Sequence, residues 1–230
     1  MVTSRRGRPA PGSELTAAAV VAAARELLGE QGLDTLSMRR VAARLDVDVS
    51  SLYWHVRSKE ALLDLLADDL LGEVRPPDPR LPWRERVEAL LLDYRGVLLR
   101  HRDAARILAG RWVLGPNTLR ALENLLATLR STGLGRAESA QVAYLLTSYV
   151  SGFVLQELRP MNAAEAAGTD PDQALDQVHR ELKALPPEDF PHLTAVADEL
   201  TARTLDERFR RGIALMLNGL ETGRTSEPLG

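Results

Sequence analysis

Apolar residues recur along most of this 230-residue chain at intervals of three and four. Nowhere is there the strict alternation that marks a half-buried strand, so the pattern predicts an all-α protein. Leu15–Gly32 sets Ala17, Val20, Val21, Ala24, Leu27 and Leu28 on one face, with Gly32 as the stop beyond the last turn. Ser37–Leu45 repeats the spacing with Met38, Val41, Ala42 and Leu45. Asp46-Val47-Asp48 interrupts it, and Asp48 suits the N-cap of a helix that starts at Val49. That helix is about two turns long. Val49, Leu52 and Val56 can face inward, which leaves Ser50, Ser51, Tyr53, Trp54 and His55 outside. Ser58 offers another N-cap, and the helix after it runs through Glu60–Val74.

Arg75-Pro-Pro-Asp-Pro-Arg-Leu-Pro82 cannot continue a helix and marks a boundary. Beyond it Trp83–His101 shows an inward stripe of Val87, Leu90, Leu91, Tyr94 and Leu98, and a short helix follows over Asp103–Ala109. After a loop at Gly110–Pro116, Thr118–Ser131 points Leu119, Leu122, Leu125, Leu126 and Leu129 inward. Glu138–Leu158 is apolar nearly all round, which requires cover on both sides. Met161–Thr169 reads as a loop, Asp170-Pro171 opens a helix to about Leu185, and Pro186-Pro187 stops it. The last helix, Thr204–Leu220, aligns Leu205, Phe209, Ile213, Met216, Leu217 and Leu220.

The first turns of this pattern have a chemical meaning. Two short helices joined by a tight turn are either a helix-turn-helix, whose second helix enters the DNA major groove, or a plain helical hairpin with solvated charges and a Tyr-Trp pair anchoring its core. Hydroxyls, an imidazole and a phenol on its outer face bond base edges or phosphates, and Arg39, Arg40, Arg57 and Lys59 flank it as phosphate-neutralising cations. The formal charge of −3 conceals a division: residues 1–60 hold nine Lys or Arg against seven Asp or Glu, and the remainder 20 against 25. Met1–Gly12 has three Arg and no periodicity, so it is either an arm for an adjacent minor groove or a solvated tail.

The run SLYWHVRSKEALLDLL closely resembles the signature of the TetR family of transcriptional repressors, within it the tetracycline-repressor branch, whose consensus is near TLYWHVKNKRALLDAL. The likeness extends upstream over Leu33–Leu45 and, more weakly, to the C-terminus. It implies operator contacts from Ser37 and Arg39, the latter where the family places an arginine on a guanine. It implies further contacts from Val49, Ser50 and Ser51 at the start of the recognition helix, from Tyr53, Trp54 and His55 at its end, and from Lys59 to a phosphate. Met38 stands where the family has a small hydroxyl residue, and Val49-Ser50 where it has Gln-Pro, so a different operator is expected. Val49 meets either a thymine methyl or the domain core.

The resemblance also implies a homodimer built through a four-helix bundle, with GFVLQE and GLETG in the dimer helices and Tyr149, Phe153, Phe209, Ile213, Met216 and Leu217 at the interface. The alternative for both helices is the core of one subunit. The expected division is a flexible basic arm over 1–12, a helix-turn-helix domain over 13–60, a connecting helix over 61–75, and a ligand-binding and dimerisation domain over 76–230. Ligand positions fall on Arg75, Leu90, Tyr94, Leu108 and Leu125. The family's tetracycline repressor has histidine, asparagine, phenylalanine, a magnesium-ligating histidine and glutamine there. A leucine cannot coordinate a hard cation, so the expected effector is more apolar and needs neither metal nor cofactor. Tyr94, Trp112 and Tyr144 can stack on it, with Arg75 or Arg111 for an anionic group; the alternative for each, and the more ordinary one, is plain core or surface.

Composition excludes other classes. There is no cysteine, hence no disulfide framework or thiolate metal site. The four histidines, His55, His101, His179 and His192, show no metal-ligand spacing, and no phosphate loop or nucleophile elbow is present, so no enzyme is expected. No apolar run reaches the roughly 18 residues of a membrane span and no signal peptide is visible, so a cytoplasmic protein is expected. The rival reading is a helical ligand-binding module without DNA function.

Overall fold

The computed structural model describes residues 15–109, 111–158, 168, 170–202 and 205–223. Among them are twelve α-helices, a single 3-10 turn (Leu33–Thr35) and no strand. The arm over residues 1–12 and nearly all of the loop expected at Met161–Thr169 lie outside the described residues.

Four helices build the N-terminal head: α1 (Ala17–Gln31), α2 (Met38–Leu45), α3 (Val49–His55) and α4 (Lys59–Leu71). Their starts are set by side chains that satisfy free helical N–H groups. Thr16 Oγ1 accepts from Ala19 N–H at 3.1 Å, Asp48 from Ser50 N–H at 2.8 Å and Ser58 from Ala61 N–H at 3.0 Å. Gly32 ends α1 at φ +79°, a conformation costly for any residue with a Cβ. The predicted stripes meet in one core: Val20, Ala24, Leu28, Leu36, Val41, Leu52, Val56, Leu62 and Leu66 are all buried. Each large member contributes about 1.5–3 kcal/mol on leaving water.

The bundle comprises α5 (Trp83–Arg100), α6 (Ala104–Leu108), α7 (Pro116–Arg130), α8 (Arg136–Glu157) and α12 (Leu205–Gly223). A small lobe of α9 (Pro171–Lys183), α10 (Pro191–Ala195) and α11 (Ala197–Thr201) follows α8 in sequence. The last two helices of this lobe were absent from the sequence reading; each is a single turn, too short for a periodic signal.

Two boundaries differ from expectation. The connecting helix ends at Leu71, where Gly72 is the cap, not at Val74. The head is also not self-contained: Ile107 of α6 and Val113 sit in its core, while Leu70 of α4 sits in the core of the bundle. Polar bonds reinforce the seam. Arg25 of α1 reaches Asp69 of α4 and Glu73 just beyond its end, His101 Nε2 lies 2.9 Å from Glu73, and Asp103 accepts from Leu33 N–H at 2.8 Å. Burial opposes ionisation of Glu73, but the bonds from His101 and Arg25 outweigh it and hold its pKa at about 2.

Candidate nucleic-acid interface and ligand cavity

The face of α3 turned away from the core is bare. Leu52 and Val56 are buried beneath it, which forces Tyr53, Trp54 and His55 outward, and Trp54 is 89% exposed. An indole left in water at the end of a two-turn helix has no packing role in the chain. Arg39 and Arg57 are exposed, and among the described residues neither has a hydrogen bond or ion pair within the chain. Arg40, by contrast, is tied to Gln31. Lys59 is half-buried at the start of α4.

Three of the expected contacts have local duties. Ser37 caps α2, its Oγ accepting from Arg40 N–H at 3.4 Å. Ser50 donates its hydroxyl to Asp48 at 2.6 Å, and with its N–H bond this lowers the Asp48 carboxyl below the ordinary range. Val49 packs against the head's core, so of its two readings the geometry favours the inward one. Ser51 is half-buried.

A cavity of about 620 Å³ opens between α5, α7 and α8, within the usual size of small-molecule sites. Of the eight expected ligand positions, Leu90, Tyr94, Leu108, Arg111, Trp112, Leu125 and Tyr144 line it. Arg75 does not. Its guanidinium and N–H both bind Asp93, at 2.7 Å each, with the side chain in solvent, because the chain leaves α4 three residues earlier than expected. Arg111 lines the wall but turns its charge to Glu60 at 2.5 Å and Asp64 at 3.0 Å on α4. It is therefore already neutralised and is not a waiting anion seat. Leu119 and Leu122, expected in the core of the bundle, are exposed because they border this hollow.

Polar groups are few. At one side Tyr94 Oη lies 3.0 Å from Ser151 Oγ, and burial raises the phenol's pKa while that bond opposes the rise. Thr147 and Ser148 add hydroxyls, and Trp112, 89% exposed, stands at the rim. The sequence reading missed Ser151, Thr147 and Ser148, although four- and seven-residue steps from Tyr144 along α8 would have found Ser148 and Ser151.

The expected dimer residues divide. Tyr149, Phe153 and Met216 are half-buried. Phe209, Ile213 and Leu217 are fully buried within the subunit, so their assignment to an interface between subunits is corrected. They hold α12 against α5 and α8, where the Arg95 guanidinium lies 4.9 Å over Phe209 and binds Glu157 at 2.6 and 3.0 Å. The outward side of these helices instead shows Leu145 (59% exposed) and Leu215 (58% exposed).

A bare helix-turn-helix joined by one helix to a hollow helical bundle is the build of a ligand-responsive, DNA-binding transcriptional regulator. Residues 20–66 match the family of bacterial regulatory proteins, tetR family, and residues 75–224 match the tetracyclin repressor-like C-terminal domain. The chain belongs to the TetR family.

An HTH-type transcriptional regulator of Saccharopolyspora erythraea is 42% identical over 144 residues, which is 62% of this chain and 61% of that relative. The class G tetracycline repressor protein of Vibrio anguillarum is 31% identical over 217 residues, 93% of this chain and 97% of that one. Among solved structures, the Streptomyces coelicolor TetR family protein ActR in complex with actinorhodin aligns at 36% identity with a TM-score of 0.82, over 92% of this chain and 97% of that one. Among the described residues no helix is long and apolar enough to cross a membrane.

Proposed function

We propose that the chain represses transcription as a homodimer, reading one half of a palindromic operator with each α3 and letting go when a small molecule fills the cavity. The observation that carries this is the bare outer face of α3, with Tyr53, Trp54 and His55 set beside the unpaired Arg39. In this reading Tyr53, Trp54, His55 and Ser51 meet bases or phosphates, Arg39 reads a guanine, and Lys59 and Ser37 anchor the backbone. The two heads of a dimer fit half-sites about 34–36 Å apart, one DNA turn. Leu145 and Leu215, exposed beside Tyr149 and Met216, are the surface offered to the partner.

The effector is uncharged or nearly so, largely apolar and free of metal. Arg111 is spoken for, Arg75 is outside, and Leu108 and Leu125 supply no metal or amide contact. Tyr94 with Ser151 would orient one hydroxyl or carbonyl, and Trp112 and Tyr144 would stack on a flat ring. The structural relative ActR is described in complex with actinorhodin, which makes that compound the first to try. Effector binding would favour a dimer whose heads are wrongly spaced, with α4 as the lever. No catalytic role is assigned to either site.

Selection of binding sites from a random duplex pool tests the reading, with the Trp54→Ala/His55→Ala protein as control. A palindromic consensus with turn-spaced half-sites, lost in the control, is the expected result. No enrichment even at low salt, where phosphate contacts are strongest, would leave a ligand-binding module without DNA function.

A further inference from the structure

We infer that Asp68 is the positioning residue through which cavity and reading head sense one another, an inference that rests on the proposed function. Helix α7 forms one wall of the cavity with Leu119, Leu122 and Leu125, yet its N-terminus lacks a cap of its own. Gly115 stands at the cap position with no side chain, and the first turn contains no acidic residue. The missing acceptor comes from α4. The nearly buried Asp68 carboxylate accepts from Thr118 N–H at 2.9 Å, from the Thr118 hydroxyl at 2.9 Å and from Asn117 N–H at 3.4 Å. Asn117 Nδ2 returns a bond to the Asp68 carbonyl at 3.2 Å.

An anionic acceptor at a helix N-terminus is favoured both by the free N–H groups and by the helix dipole. Here it ties together two elements with different tasks. The same helix α4 places Leu62, Leu63 and Leu66 in the core of the head. Glycine at 115 is required by the joint, since a Cβ there would overlap the Asp68 carboxylate. Gly72, one turn further along α4, gives the Asn117 side chain its room in the same way. A wall helix capped by the lever helix cannot shift at its start without moving that lever or losing the cap. Moving the lever displaces the head.

Coupling is reciprocal, so operator DNA must be felt at the start of α7 even without an effector. The test is amide exchange in the full chain, wild type and Asp68→Ala, free and with the duplex recovered by selection. In the wild type, DNA should change protection at Asn117–Leu119 by about 5-fold or more, the low end of ordinary coupling. In Asp68→Ala that response should vanish while operator affinity stays within about 3-fold, and Asp68→Asn, which keeps an acceptor, should restore part of it.

A merely structural cap would lower protection in the variant equally with and without DNA, leaving the response intact, and that result overturns the inference. So does a wild type with no response at α7. If no duplex is recovered, the proposed function fails, and the free proteins still decide the joint. Loosening of the last turns of α4 together with α7 upholds it; loosening of α7 alone removes it. Should Asp68→Ala not fold, Thr118→Val and Asn117→Ala approach the joint from the other side.

Discussion

The head and the bundle solve opposite problems with the same kind of helix. In the head, every inward position of α1 to α4 finds cover, and Tyr53, Trp54 and His55 stay outside on α3 with no partner among the described residues. In the bundle, α7, α8 and α12 have apolar faces that stay open: Leu119 and Leu122 of α7 border a hollow, and Leu145 of α8 and Leu215 of α12 face solvent. The head's core is closed, with Ile107 of α6 and Val113 completing it. The bundle keeps about 620 Å³ of hollow and bare leucines on its flank, which the proposed function fills with a ligand and a second copy. Closed packing gives a rigid reading surface, whereas an incomplete core leaves room for two arrangements that a ligand can choose between.

That contrast can be broken most strongly inside the bundle. Arg95→Ala leaves the nearly buried Glu157 without its partner and should cost about 3–5 kcal/mol of stability, measured by urea unfolding. A loss no greater than that of a surface charge would mean that the pair is solvated and that the bundle's aromatic corner holds α12 without it.

Next comes the flank. Leu145→Glu combined with Leu215→Glu should put unpaired charge into a dimer contact and yield monomers in sedimentation, with operator affinity falling in step. An unchanged mass would place the partner elsewhere.

The head's bare face gives a smaller, more selective effect. Trp54→Ala should leave thermal stability within about 0.5 kcal/mol, as expected for so exposed a residue. It should weaken operator binding by about 1–3 kcal/mol in a titration followed by anisotropy. A large fall in stability instead would show that the indole supports the core.

The seam between the regions is tested by pH. The folded-state pKa of Glu73 lies near 2, below its ordinary 4.5, so its contribution is fully present above about pH 4.5 and is lost as pH falls towards 2. Melting curves of wild type and Glu73→Gln should converge across that window as the wild type loses the advantage. Parallel curves would show that the ion pairs with Arg25 and His101 add nothing.

Much of this was visible in the linear chain. The caps at Asp48 and Ser58, the stop at Gly32 and the outward set of α3 follow from spacing and N-cap chemistry, which act within one turn. Five ligand positions rest on the family likeness and Arg111, Trp112 and Tyr144 on their side-chain chemistry, and seven of the eight meet around one hollow. Arg75 fails because α4 stops at Leu71 and turns it towards Asp93, a detail no residue near it announces. Phe209, Ile213 and Leu217 form a clear stripe, but a stripe shows that a face is covered, not whether its own chain or another covers it.

The sequence by itself determined the longer helices, the caps at Asp48 and Ser58, and the outward side of α3. Those are local matters, settled by periodicity and by hydrogen bonds a few residues long. Tertiary structure alone decided that Arg111 spends its charge on α4, that Asp68 of α4 completes α7, and where the cavity lies. The partners in those bonds stand between 47 and 51 residues apart, and a cavity is the space three helices fail to fill, so neither leaves a mark on any one stretch of the chain.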